Sequence, residues 1–138
     1  MPFREKIAWI ALLGILGASG VYFGALWWHN GQPSHGLFKG LFVEIVVVQA
    51  IITTVATILV SIFSRRDAGQ PRDERDRQIE RSAAGKAYFP MLIAIIFAAA
   101  SIHLGNDLFG MLNTLLAVIM GAEALRFALQ IIAYRRGQ

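Results

Sequence analysis

Three ionisable side chains, Glu44, Glu123 and Arg126, fall inside stretches that are otherwise apolar. Charges placed inside a bilayer are expensive, and they mark ion pathways, proton relays or charge pairs. Glu123 and Arg126 stand at i,i+3, on one face of a helix, which predicts an ion pair with the long Arg126 side chain snorkelling toward the nearer surface. Glu44 is different, since Lys39 is its only basic neighbour in sequence. It falls on the same side of the membrane as all three histidines, His29, His35 and His103, the last of which lies near Asp107. Imidazole and carboxylate are suited to divalent metals such as zinc or manganese. His29, His35, His103 and Asp107, with Glu44 nearby, are therefore the candidate metal- or proton-binding group. Their spacing matches neither HxxxH nor HExxH, and histidine is also at home at a membrane interface. A haem held between His29 and His103 is disfavoured, because both lie at the rim of their spans rather than inside them. The chain has no cysteine, which excludes disulfides, thiolate metal sites and thiol relay chemistry. Without a phosphate-cradling glycine loop or a nucleophile elbow, no catalytic residue is assigned and no cofactor is required.

A second group lies in RRDAGQPRDERDRQIERSAAGK, residues 65–86. Asp73, Glu74, Asp76 and Glu80 cancel the charge of Arg72, Arg75, Arg77 and Arg81. That cancellation argues against a simple polybasic lipid anchor and for internal pairing or a protein partner. Good helix formers follow Pro71, with acids in the first turn where they favour the helix dipole. Asp73 with Arg77, and Arg72 with Asp76, are spaced to pair at i,i+4. A calcium loop needs a glycine and alternating ligands that this run lacks. The candidate partner-binding set is Asp73, Glu74, Arg75, Asp76, Arg77, Ile79 and Glu80.

The elements that must position these residues are four apolar runs, at about 7–28, 41–63, 87–104 and 108–134 of 138 residues. Each reaches or approaches the ~20 residues that cross a ~30 Å hydrocarbon core. With 56% hydrophobic residues, the chain has too little polar surface for a soluble globule. Arg4 and Lys6 before an apolar run resemble a secretion signal, but the run continues to Trp27 and Trp28, a full span with an aromatic anchor. All thirteen Lys and Arg except Lys39 and Arg126 lie at the N-terminus, in 65–86 or at the C-terminus. The positive-inside rule then places both termini and the long middle segment in the cytoplasm. The positive charge beside helix ends needs no nucleic-acid partner.

Backbone groups in lipid must be satisfied internally, which selects helices. Short links around Asn106 and from His29 to Gly40 predict an all-α, antiparallel four-helix bundle, a single transmembrane domain over 1–138 with a charged cytoplasmic helical segment at 72–86. Helices in lipid associate through small residues and hydrogen bonds. Gly17, Gly20 and Gly24, Ala94 and Ala98, Ala117 and Gly121 supply the first, and a seam of Gln49, Thr53, Thr57 and Ser61 is expected to supply the second by facing another helix. Such small-residue spacing also permits a homo-oligomer. Pro90 is expected near a helix start, where its missing N–H is tolerated.

At Asp73-Glu74-Arg75-Asp76, with Ile79, Glu80 and Tyr88, the chain resembles a loosely defined family of small prokaryotic membrane proteins with a DERD or DERE sequence between the second and third of four spans. Those proteins are often encoded near small helix-turn-helix regulators. The resemblance implies an accessory, regulatory or sensing role in a multi-pass protein of the prokaryotic plasma (inner) membrane, with the bilayer and a cytoplasmic protein as partners. The alternatives are a small ion- or proton-coupled transporter using Glu44 or Glu123, and a metal-binding membrane protein at the outer face. Small multidrug transporters carry their essential glutamate in the first helix, where this chain has only Glu5, ahead of the apolar run.

Overall fold

The computed structural model describes residues 3–28, 35–63, 74–105 and 107–136, with the backbone alone for 35–46 and Gln49. Helices α1 (Phe3–Trp28), α2 (His35–Phe63), α3 (Glu74–Ala100) and α4 (Leu108–Arg136), with a 3-10 turn at Ser101–Leu104, account for nearly all of these residues. No strand occurs among them. The chain divides into two compact units, Met1–Gln70 and Pro71–Gln138.

In the first unit α1 packs on α2. With 26 residues, α1 is ~39 Å long at 1.5 Å per residue, enough to span a bilayer. Its apolar side chains face outward: Leu13, Leu16, Val21, Trp27 and Trp28 are exposed, while Ala8 and Tyr22 are buried. An inverted pattern of this kind is what lipid rather than water selects, because apolar side chains left outside a helix contact then meet hydrocarbon. The spacing of Gly17, Gly20 and Gly24 predicted a close helix approach, and the structure differs. A Cβ built at any of the three meets nothing within 4 Å among the described residues, so these glycines are not in close contact with the described part of α2. On α2, Thr53, Thr57 and Ser61 of the seam lie on the less exposed side of the helix, but the hydroxyls of Thr57 and Ser61 bond within α2. Thr57 Oγ1 donates to the Thr53 carbonyl at 2.7 Å and Ser61 Oγ to the Thr57 carbonyl at 2.8 Å. Each hydroxyl finds its acceptor one turn back in its own helix, a common solution where lipid offers none.

In the second unit α3 and α4 form a helical hairpin. Helix α3 joins the charged 74–86 segment to the apolar run without a break, the extension that the sequence allowed. Pro90 consequently lies well inside α3, not near its start. Its ring removes the N–H that would bond the Lys86 carbonyl, at the level where the apolar run begins and polar headgroups can replace the lost donor. From Ala87 to Leu104 the helix and its 3-10 turn rise ~29 Å, close to the hydrocarbon thickness. Lys86 therefore marks the boundary of the span. At the other end Gly105 closes the 3-10 turn at φ 98°, a left-handed conformation that favours glycine, with its N–H donated to the Ile102 carbonyl at 3.4 Å.

Candidate functional site

The hairpin of α3 and α4 carries most of the candidate residues, and it sorts them by depth. At its turn, Asp107 is the N-cap of α4. Its Oδ1 accepts from the Gly110 amide at 2.8 Å, which satisfies one of the orphan amides of the first turn, and its carbonyl accepts the first intrahelical bond, from the Met111 amide at 3.0 Å. His103 lies in the preceding 3-10 turn and is exposed. His29 lies outside the described residues; His35 begins α2 and Glu44 lies within it, with neither side chain described. Among the described residues no three His, Cys, Asp or Glu side chains converge in a metal-holding group.

Deeper in α4, Glu123 and Arg126 meet as the sequence expects. Arg126 Nη2 lies 2.6 Å from Glu123 Oε2, and the guanidinium stands 4.5 Å over the Phe127 ring. Both side chains are part-exposed, so the pair is worth little in water-like surroundings, about 1 kcal/mol at most. Glu123→Gln is expected to destabilise by about that amount because it leaves Arg126 without its counter-charge. Adding Arg126→Met should restore most of the loss, so thermal unfolding of the two single variants and the double should show coupling. Additive losses would mean that the pair contributes nothing.

The charged end is the most elaborate part. Glu74 opens α3 and lies 3.8 Å from Arg77; Arg72 and Asp73, which belong to the expected i,i+4 pairs, lie outside the described residues. Glu74, Arg75 and Arg77 are exposed, Asp76 and Glu80 half-buried. Ile79 is only 4% exposed, and Ala83 and Ala87 are buried one and two turns later. This stripe of Ile79, Ala83 and Ala87 at i,i+4 locks the charged segment to the fold and leaves its acids and arginines on the other faces.

Sequence reasoning missed a cavity of about 430 Å³ beside that stripe. Its floor is apolar, with Ile79 and Ala83 of α3 facing Leu129 and Ile132 of α4. Its lining carries Arg75, Lys86 and Arg136 and, among the described residues, no acid. Arg75 and Lys86 fall on one face of α3 at the 3.6-residue period, a signal the charge balance of 72–81 concealed.

Long, outward-apolar helices with most of their charge near their ends define an all-α membrane protein. Among the described residues three helices, Phe3–Trp28, Glu74–Leu104 and Leu108–Arg136, are long and apolar enough to cross a bilayer, and in each the most apolar stretch is only 11% buried. The chain belongs to the family described as Predicted membrane protein (DUF2178), which matches residues 5–137. No curated protein and no solved structure matches it.

Proposed function

We propose that this is a non-enzymatic membrane protein with an accessory, regulatory or sensing role, exerted through the first turns of α3. One observation carries the reading: α3 runs from Glu74 to Ala100 as one helix, so the charged segment and a membrane span belong to one continuous element. A displacement or repacking of the span is thereby felt at Glu74, Arg75 and Arg77, which stand exposed at its end. Balanced charge on an exposed helical surface favours a charge-patterned protein partner, since complementary potentials set specificity and encounter rate. The flanking Arg4, Lys6, Arg135 and Arg136 orient this end toward the cytoplasm of a prokaryotic plasma membrane. Asp73, Asp76, Ile79 and Glu80 complete the segment, with Ile79 holding it in place from the buried side.

The test is charge reversal at Asp73, Glu74 and Asp76 together, with membrane insertion checked by accessibility labelling. Cross-linking in cells should then lose the cytoplasmic protein that wild type captures, while insertion is unchanged. An identical set of cross-linked partners in wild type and variant would refute the proposal.

A further inference from the structure

The basic-rimmed cavity does not stand alone. Along α3 its residues recur every three or four positions, Arg75, Ile79, Ser82 and Lys86, and the same face continues into the span as Phe89, Ile93 and Phe97. These last residues line a shallow open groove, of about 720 Å³, bordered on the α4 side by Thr114 and Val118. The α4 residues of the cavity and the groove also share one face, because Thr114, Val118, Leu129, Ile132 and Arg136 all fall within about 60° at 100° per residue. One flank of the hairpin is thus an apolar crevice that opens into a cationic cavity at its end. The only polar residue along the crevice is Thr114, whose hydroxyl is already committed to the Gly110 carbonyl at 2.8 Å.

We propose that this flank is a binding site for one anionic phospholipid, with the phosphate-bearing headgroup in the cavity rimmed by Lys86, Arg136 and Arg75 and an acyl chain along Phe89, Ile93 and Phe97. Charge complementarity selects the headgroup: among the described residues the rim holds three cations and no acid, and neither Lys86 nor Arg136 has an ion-pair partner there. Dimensions select a lipid over a soluble phosphate. From Lys86 to Phe97 the helix rises ~16 Å, about the depth of one leaflet of a ~30 Å core, and Lys86 marks the boundary where a headgroup resides. Basic pockets between membrane helices are recognised sites for anionic headgroups. A soluble anion would occupy the rim and leave the crevice unused.

Competition against a fluorescent phosphatidylglycerol, with the purified full-length chain in a neutral detergent, tests this directly. Phosphatidylglycerol should displace the probe at a concentration at least tenfold below phosphatidylcholine, and inorganic phosphate should fail to displace it. At about 1 kcal/mol per basic side chain, Lys86→Gln and Arg136→Gln should each weaken binding about fivefold and their combination about 25-fold. Lys86→Arg should retain affinity, as should Arg135→Gln, which neighbours the cavity in sequence without lining it. Ala94→Trp, placed to fill the crevice, should weaken the lipid and not any phosphate binding. Equal affinity for the two lipids, or the same loss in Arg135→Gln as in Arg136→Gln, would overturn the proposal. So would phosphate displacing the probe with Ala94→Trp unaffected, which would identify a free anion as the ligand.

Discussion

Replacing Tyr22 by alanine is expected to be among the most damaging substitutions in α1. Tyr22 is 2% exposed and is the largest fully buried side chain, on a helix whose other aromatics at the same end, Trp27 and Trp28, are exposed. Its ring stands edge-on to Phe23 at 5.1 Å. Truncating a buried aromatic removes its dispersion contacts and leaves a cavity that the surrounding structure fills only in part, at about 3 kcal/mol or more. Lipid supplies no hydrophobic force between helices, so packing contacts of this kind carry a larger share of stability than in water. Tyr22→Phe keeps the ring and should stay within about 1 kcal/mol of wild type. Detergent-denaturation curves for the two variants check this; a Tyr22→Ala loss below that of Tyr22→Phe would show that the ring is not a packing anchor.

The opposite change is expected to be costly on α3. Ala98 is 2% exposed, and a larger side chain there must push a neighbour away or enter the crevice that Ala98 borders. Ala98→Leu should destabilise by about 1–3 kcal/mol through overpacking. Ala99→Leu, one residue on and exposed, should stay within about 0.5 kcal/mol. The pair is a test of helix orientation as well as of packing. If both substitutions were neutral, the Ala94 and Ala98 face would not be a contact surface, and if both were harmful, the helix would be buried on all sides.

Much of this architecture is legible in the chain itself because the bilayer is a demanding solvent. Apolar runs of sufficient length must be helical there, so the helices around 7–28, 41–63, 87–104 and 108–134 follow from composition and spacing alone. Local pairs are equally legible. Glu123 and Arg126 meet because i,i+3 is fixed by helix geometry, whatever the rest of the chain does. Asp107 was read as a candidate ligand, and its cap on α4 could have been seen too, since an acid just ahead of an apolar helix is a capping signal.

Other features depended on which face of each helix meets a neighbour, and period alone does not choose among the faces of a helix that is apolar all round. Gly17, Gly20 and Gly24 have the spacing of a contact surface yet are not in close contact with any described residue, whereas Ala98, with the same kind of spacing, is buried. Thr57 and Ser61 had two available acceptors, a neighbouring helix or their own backbone, and the nearer one was taken. Pro90 moved from a helix start to a helix interior because the charged segment before it propagates α3, and extending an existing helix by one residue is far easier than nucleating a new one. The sequence by itself determined the class, the helices and the concentration of most charge near their ends, since these follow from the solvent and from local spacing. Tertiary structure alone decided that Arg75, Lys86 and Arg136 share one cavity. They lie on two antiparallel helices, and only the packing of the hairpin brings residues so distant in sequence to a single rim.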